Sequence, residues 1–171
     1  MKLERFTILD SSLTAIIYTA GIIGIRFLPD FFLKTSFISI LIPLSLYLFR
    51  VKPKGKDILL ILSVYSIGFF AEWIGVRFGW LFGSYKYGDS LGIKLDGVPL
   101  IIGANWLLLS LVSREVISKL LNNKILIIIL SSILMVLIDF LIEPISDNLN
   151  FWIWENNICL LYTSDAADDF T

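Results

Sequence analysis

Five apolar stretches separated by short polar connections organise this chain: residues 13–28, 36–49, 58–76, 98–112 and 125–143. Each fits the length window of a membrane-crossing helix, with 36–49 on the short side. Hydrocarbon offers a backbone no hydrogen bonds, so segments that cross it satisfy their own amides as helices. The pattern predicts an all-α, polytopic integral membrane helix bundle with about five transmembrane helices. Pro43 is expected to kink the second helix, and Pro144 to end the fifth at Glu143. No repeat and no second, soluble domain is visible.

Composition agrees. The chain is 57% hydrophobic and 17% charged, against roughly 45–50% and about 25% in soluble domains. The first apolar stretch has no small-residue cleavage site after it and reads as a retained span. Histidine is absent and Cys159 is the only cysteine. That excludes histidine triads, histidine metal sites, disulfides within the chain and thiolate clusters. Acid–base chemistry is left to carboxylates, tyrosine, lysine or water.

Cations fix an orientation. Lys2 and Arg5 precede the first helix, Arg50, Lys52, Lys54 and Lys56 crowd the second connection, and Arg114, Lys119 and Lys124 fill the fourth. Alternating helices bring these regions to one side, expected to be cytoplasmic, so the protein is read as multi-pass in the cell membrane with its N-terminus inside. Lys86 and Lys94 on the other side are offset by Asp89 and Asp96. No aromatic residues interleave with the basic ones, so no nucleic-acid partner is indicated. Gly83 and Gly88 have phosphate-loop spacing, but Asp89 stands where the lysine belongs, and that reading fails.

The residues that do not suit lipid gather at one depth. Asp139 and Glu143 share a helix face with Ser132 and Met135. An acidic side chain at mid-membrane costs roughly 2.5–3.5 kcal/mol; Asp139 is the deeper of the two, while Glu143 reads equally well as an interfacial cap. Glu72 shares a face with Tyr65, Gly68, Phe69 and Gly75. The spacing of Gly75, Gly79 and Gly83 reads as a close-packing ridge that turns Glu72 into the bundle, unless Glu72 simply pairs with Arg77 or Arg26. Asn105 and Trp106, about two turns into their helix, come to the same level. So do the belt aromatics Trp73, Trp80, Tyr85, Tyr87, Trp152 and Trp154.

The C-terminal run needs separate treatment. Cys159 to Asp169 resemble the translation of a transposase adapter used in shotgun DNA sequencing. Residues 159–171 are therefore read as adapter-derived, and 1–158 as one membrane helix bundle cut short, with further helices expected after Ile158. Removing Asp165, Asp168 and Asp169 takes the net charge from −1 to +2.

Three motifs, FAEWIGVRFGWLFGSYKYGDSLG, GVPLIIGANW and LIDFLIEPISDNLNFWIW, taken in that order, resemble the carotenoid biosynthesis membrane protein family that includes carotenoid 1,2-hydratases. The family pattern is a glutamate before a Gly/Tyr segment, a Gly-Val-Pro-Leu helix reaching a tryptophan, and Asp-x-x-x-Glu/Asp-Pro before Trp-x-Trp. Here these fall on Glu72, 83–92, 97–106, 139–144 and 152–154. The family's further Pro/Asn/Trp segment and helix are absent.

The resemblance implies hydration of the terminal isopropylidene double bond of an acyclic carotenoid to a tertiary alcohol, within the bilayer. It implies no cofactor and no metal, and an association with other carotenoid biosynthesis enzymes. The residues suit it. Protonating an alkene carbon needs a carboxyl group kept acidic in an apolar pocket, with Asp139 or Glu72 as the acid and the remaining carboxylates, Glu143 included, holding water. Aromatic faces at Phe69, Trp106, Trp152 and Trp154 shelter the cation, and Trp73, Tyr85, Tyr87 and Asn105 complete the expected substrate contacts. Two rivals stand: a Mg²⁺-dependent prenyl-diphosphate enzyme using Glu72, Asp139 and Glu143, weakened by the lack of clustered outer cations, and a non-catalytic membrane carrier or scaffold.

Overall fold

A computed structural model describes residues 8–155, with side chains from residue 12 onward. The tail at 159–171, Lys2 and Arg5 lie outside the described residues. All five apolar stretches are helical over most of their length. They form α1 (Ile8–Phe27), α3 (Ser36–Val51), α4 (Lys56–Phe78), α5 (Ile101–Leu120) and α6 (Lys124–Ser146). A short α2 (Pro29–Lys34), not expected from the pattern, starts with a proline at its first turn, where the missing N–H has no intrahelical partner to lose. By length and apolarity α4, α5 and α6 qualify to cross a membrane, while α3 and the apolar part of α1 are shorter.

The central element is α5, which packs on α3, α4 and α6, while α1 lies against α2 and α3. Leu44, Phe69, Ile101, Ala104, Leu107 and Leu108 make the core between α3, α4 and α5. The outward face of α6 is bare hydrocarbon surface, with Ile125 69% and Leu141 71% exposed. A soluble protein would bury such residues; a bilayer solvates them. Because α4 and α6 both pack on α5 and have no extensive contact with each other, a cleft remains between them.

Several connections differ from the sequence expectation. Val98 and Pro99 belong to a two-residue strand, not a helix: β2 (Lys94–Leu95) pairs antiparallel with β3 (Val98–Pro99) across Asp96 and Gly97, both at positive φ (49° and 85°). This is the Asp-Gly hairpin turn, whose two positive φ values suit that pair. Asn105 and Trp106 are therefore nearer one turn than two into α5. Pro144 does not end α6, which runs to Ser146. A proline this close to a helix end removes a single ladder bond, and Ser146 Oγ donates to Glu143 O at 2.8 Å.

The glycine ridge is also corrected. Gly79 ends α4 at φ +66°, its N–H donating to Gly75 O at 2.8 Å, and Gly83 lies beyond the helix at φ +96°. The close approaches fall on Gly68, where a Cβ would run into the Trp106 ring, and on Gly75, where it would come 2.7 Å from the Tyr85 hydroxyl.

Candidate active site

The segment after α4 runs through β1 (Tyr85–Tyr87), and the chain returns after α6 as β4 (Trp152–Trp154). The two strands pair antiparallel, Tyr85 opposite Trp154 and Tyr87 opposite Trp152. Strand residues two apart share a face, so one side of this ribbon carries two tyrosines and two tryptophans. Lys86 and Ile153, opposite each other in register, alternate to the other side, where Lys86 forms an ion pair with Glu155. Gly88 is required beside the ribbon, since any Cβ there would collide with Asn150.

Beneath the ribbon lies Glu72 of α4. Its Oε2 accepts hydrogen bonds from the Tyr85 hydroxyl at 2.5 Å and the Tyr87 hydroxyl at 2.8 Å, and its Oε1 accepts from Trp106 Nε1 at 3.0 Å. Three donors from two separate elements thus converge on one carboxyl group. Burial, reinforced by the Glu72 carboxylate, pushes both phenols above the ordinary tyrosine range, so they remain donors. Among the described residues Glu72 makes no ion pair with arginine, as the alternative reading had it: Arg77 lies 3.8 Å from Asp96 instead.

A cavity of about 390 Å³ fills the cleft between α4 and α6, a volume within the usual range for a small-molecule site. Glu72 and Phe82 wall it on one side. The floor is Ile102, Asn105, Trp106 and Leu109 of α5, and the far wall is Ser132, Met135, Val136, Asp139, Phe140 and Glu143 of α6. The four ribbon aromatics roof it. Asp139 is exposed on this wall, and no hydrogen bond reaches its carboxyl group among the described residues.

Nine of the eleven expected site residues thus line one cavity, and two do not. Phe69 is buried in the core beside α5. Trp73, a quarter turn round α4 from Glu72, donates Nε1 to Asp96 Oδ2 at 2.7 Å and meets Phe78 edge to face. Ile102, Leu109, Val136 and Phe140 escaped the sequence reading, because an apolar residue in an apolar helix carries no chemical signal, and so did Phe82 in the turn after α4. Glu72, Asp139 and Glu143 line the same cavity, and among the described residues no three metal-ligating side chains are drawn together.

Comparison with known proteins decides the family. Residues 33–159 match the family described as carotenoid biosynthesis protein. The chain belongs to that family. Every cavity residue of this carotenoid biosynthesis protein lies inside the matched region, whereas α1 lies outside it. The chain is also 30% identical to the bisanhydrobacterioruberin hydratase of Haloarcula japonica over 171 aligned residues, which cover 89% of this chain and 55% of that protein. It therefore spans about half the length of that curated relative. No solved structure matches.

Proposed function

We propose that this carotenoid biosynthesis protein adds water to the terminal isopropylidene double bond of an acyclic carotenoid, giving a tertiary alcohol. The observation that carries the reading is the unequal treatment of carboxyl groups in one aromatic-roofed, largely apolar cavity. Glu72 is occupied as an acceptor at both oxygens, while Asp139 faces the cavity without a donor among the described residues. The name of the Haloarcula japonica relative, a hydratase, supports the same reaction class.

In this proposal Asp139 gives its proton to the alkene carbon bearing hydrogen, and the π electrons form the new C–H bond. Positive charge is left on the carbon bearing the two methyl groups. The faces of Trp106, Trp152 and Trp154 shelter that cation, by about 0.5–2 kcal/mol each, and the fixed Glu72 carboxylate opposes its charge across the cavity. A water held by Asn105 and Glu143 adds its oxygen to the cationic carbon. Its surplus proton passes to Glu143 and, one helical turn along, back to Asp139, so the site ends as it began.

The cleft between α4 and α6 supports entry of the polyene sideways from the bilayer, with the basic ends of the helices in the cytoplasm and the cavity in the outer half of the membrane. Expression in a host that accumulates an acyclic carotenoid tests the reaction. The chain is used both as it stands and fused to the C-terminal portion of the Haloarcula japonica protein. A hydroxylated pigment is expected, lost in Asp139→Asn and in Glu72→Gln. Hydration that survives both changes would refute the assignment, and unchanged pigment in both forms favours a carrier or scaffold.

A further inference from the structure

The end of the bundle opposite the cavity has a composition of its own. Arg50 closes α3, Lys52, Lys54 and Lys56 occupy the turn into α4, Arg114 and Lys119 lie in the last turns of α5, and Lys124 opens α6. Against these seven cations stand only Asp57 and Glu115, leaving a net charge of 7 − 2 = +5. They are near neighbours: Arg50, Asp57, Arg114 and Glu115, from three helices, all act electrostatically on Tyr47, and the Arg50 guanidinium lies 5.8 Å from the centre of that ring.

The two ends treat their cations differently. At the cavity end Arg77 pairs with Asp96, Lys94 with Asp89 at 2.7 Å, and Lys86 with Glu155. At the basic end Glu115 faces Lys119 at 3.6 Å. By contrast Lys52, Lys54, Lys56, Arg114 and Lys124 make no ion pair and no side-chain hydrogen bond among the described residues. The turn is built to display its lysines. Lys52 caps α3 in the left-handed region at φ 47°, Pro53 fixes the next residue, and Gly55 at φ 52° leads into α4. Three basic side chains are thus held within five residues at the rim of a helix pair.

We propose that this end of the bundle binds anionic phospholipid headgroups. The helices that carry the cations, α4, α5 and α6, are of membrane-crossing length, so their ends meet the headgroup layer. Lysine and arginine stems lie along hydrocarbon while their charges reach outward. A cluster of unneutralised cations at that depth attracts an anionic leaflet, one interaction per cation. Lys52, Lys54 and Lys56 are all exposed within one five-residue turn, a local density of charge that a headgroup phosphate can meet.

Native mass spectrometry of the full chain, released from vesicles of phosphatidylcholine and phosphatidylglycerol in equal parts, tests this. Wild type is expected to retain phosphatidylglycerol over phosphatidylcholine. The preference should fall by roughly tenfold or more in Lys52→Gln/Lys54→Gln/Lys56→Gln, and also with added salt. Lys86→Gln/Lys94→Gln, which removes paired cations at the other end, should leave it unchanged. Arg114→Gln/Lys124→Gln should lower it independently, so misfolding of one variant does not decide the matter. Equal retention of the two lipids by wild type, or an unaltered preference in both basic-end variants, overturns the proposal. So does displacement of the lipid by inorganic phosphate at an ionic strength where chloride has no effect, since that marks a site for a soluble anion.

Discussion

Glu72 and Asp139 face one cavity from α4 and α6, and their surroundings could hardly differ more. Around Glu72 the chain has gathered two phenols and an indole, all donating. Around Asp139 it has set Met135, Val136 and Phe140 and no donor among the described residues. Two carboxyl groups in one site acquire separate roles through their environments, not through their identity. A side chain held by three hydrogen bonds is fixed in place; one without a donor among the described residues is left free to meet whatever enters.

The comparison breaks most visibly at Asp139. Asp139→Asn keeps shape and removes the acid, and carotenoid hydration is expected to fall by roughly 10²–10⁴-fold with no loss of thermal stability, as read by product yield and by helix melting. Glu72→Gln should do the reverse in part. Its amide nitrogen turns a donor toward donors, so stability drops by about 1–3 kcal/mol alongside activity, and a melting temperature equal to wild type would show that the three donors do not bind Glu72 tightly.

Alkaline titration sharpens the same contrast. The folded-state pKa values of Tyr85 and Tyr87 are raised above 10.0, first by burial and then by Glu72. Below that pH both states hold the phenolic protons and stability is unaffected. As pH rises above 10, only the unfolded chain releases them, so stability should fall. Ultraviolet tyrosine titration should show two phenols still unionised past that point, with a smaller delay in Glu72→Gln, since burial remains. The smallest effect is expected at Trp154→Phe. The Trp154 Nε1 is buried without a hydrogen-bond partner among the described residues, and phenylalanine keeps an aromatic face while removing that donor, so melting should move little or rise slightly.

Much of this was legible in the sequence because the helical period announces itself locally. The four-position spacing of Asp139 and Glu143 fixes their common face without knowledge of any neighbour, and the absence of histidine directs attention to carboxylates. What escaped is non-local or too short to show a period. Strands of three residues leave no alternation to read, and Tyr85 meets Trp154 only because α5 and α6 lie between them in sequence and bring the chain back. Trp73 looked equivalent to its neighbour Glu72, yet one residue along a helix is a turn of about 100°, enough to send it to Asp96. The Asp96-Gly97 turn was a signal present in the letters, hidden by the apolar run that follows.

The roof of the cavity has a consequence for biosynthesis. Its second strand is the last element described, so α4, α5 and α6 can enter the bilayer while Tyr85 and Tyr87 still lack their pairing partner. Closing a loop from Tyr87 to Trp152 carries an entropic cost that local helix contacts do not. A chain ending before Trp152 would keep the α4, α5 and α6 sequences and lose half of the chamber's roof.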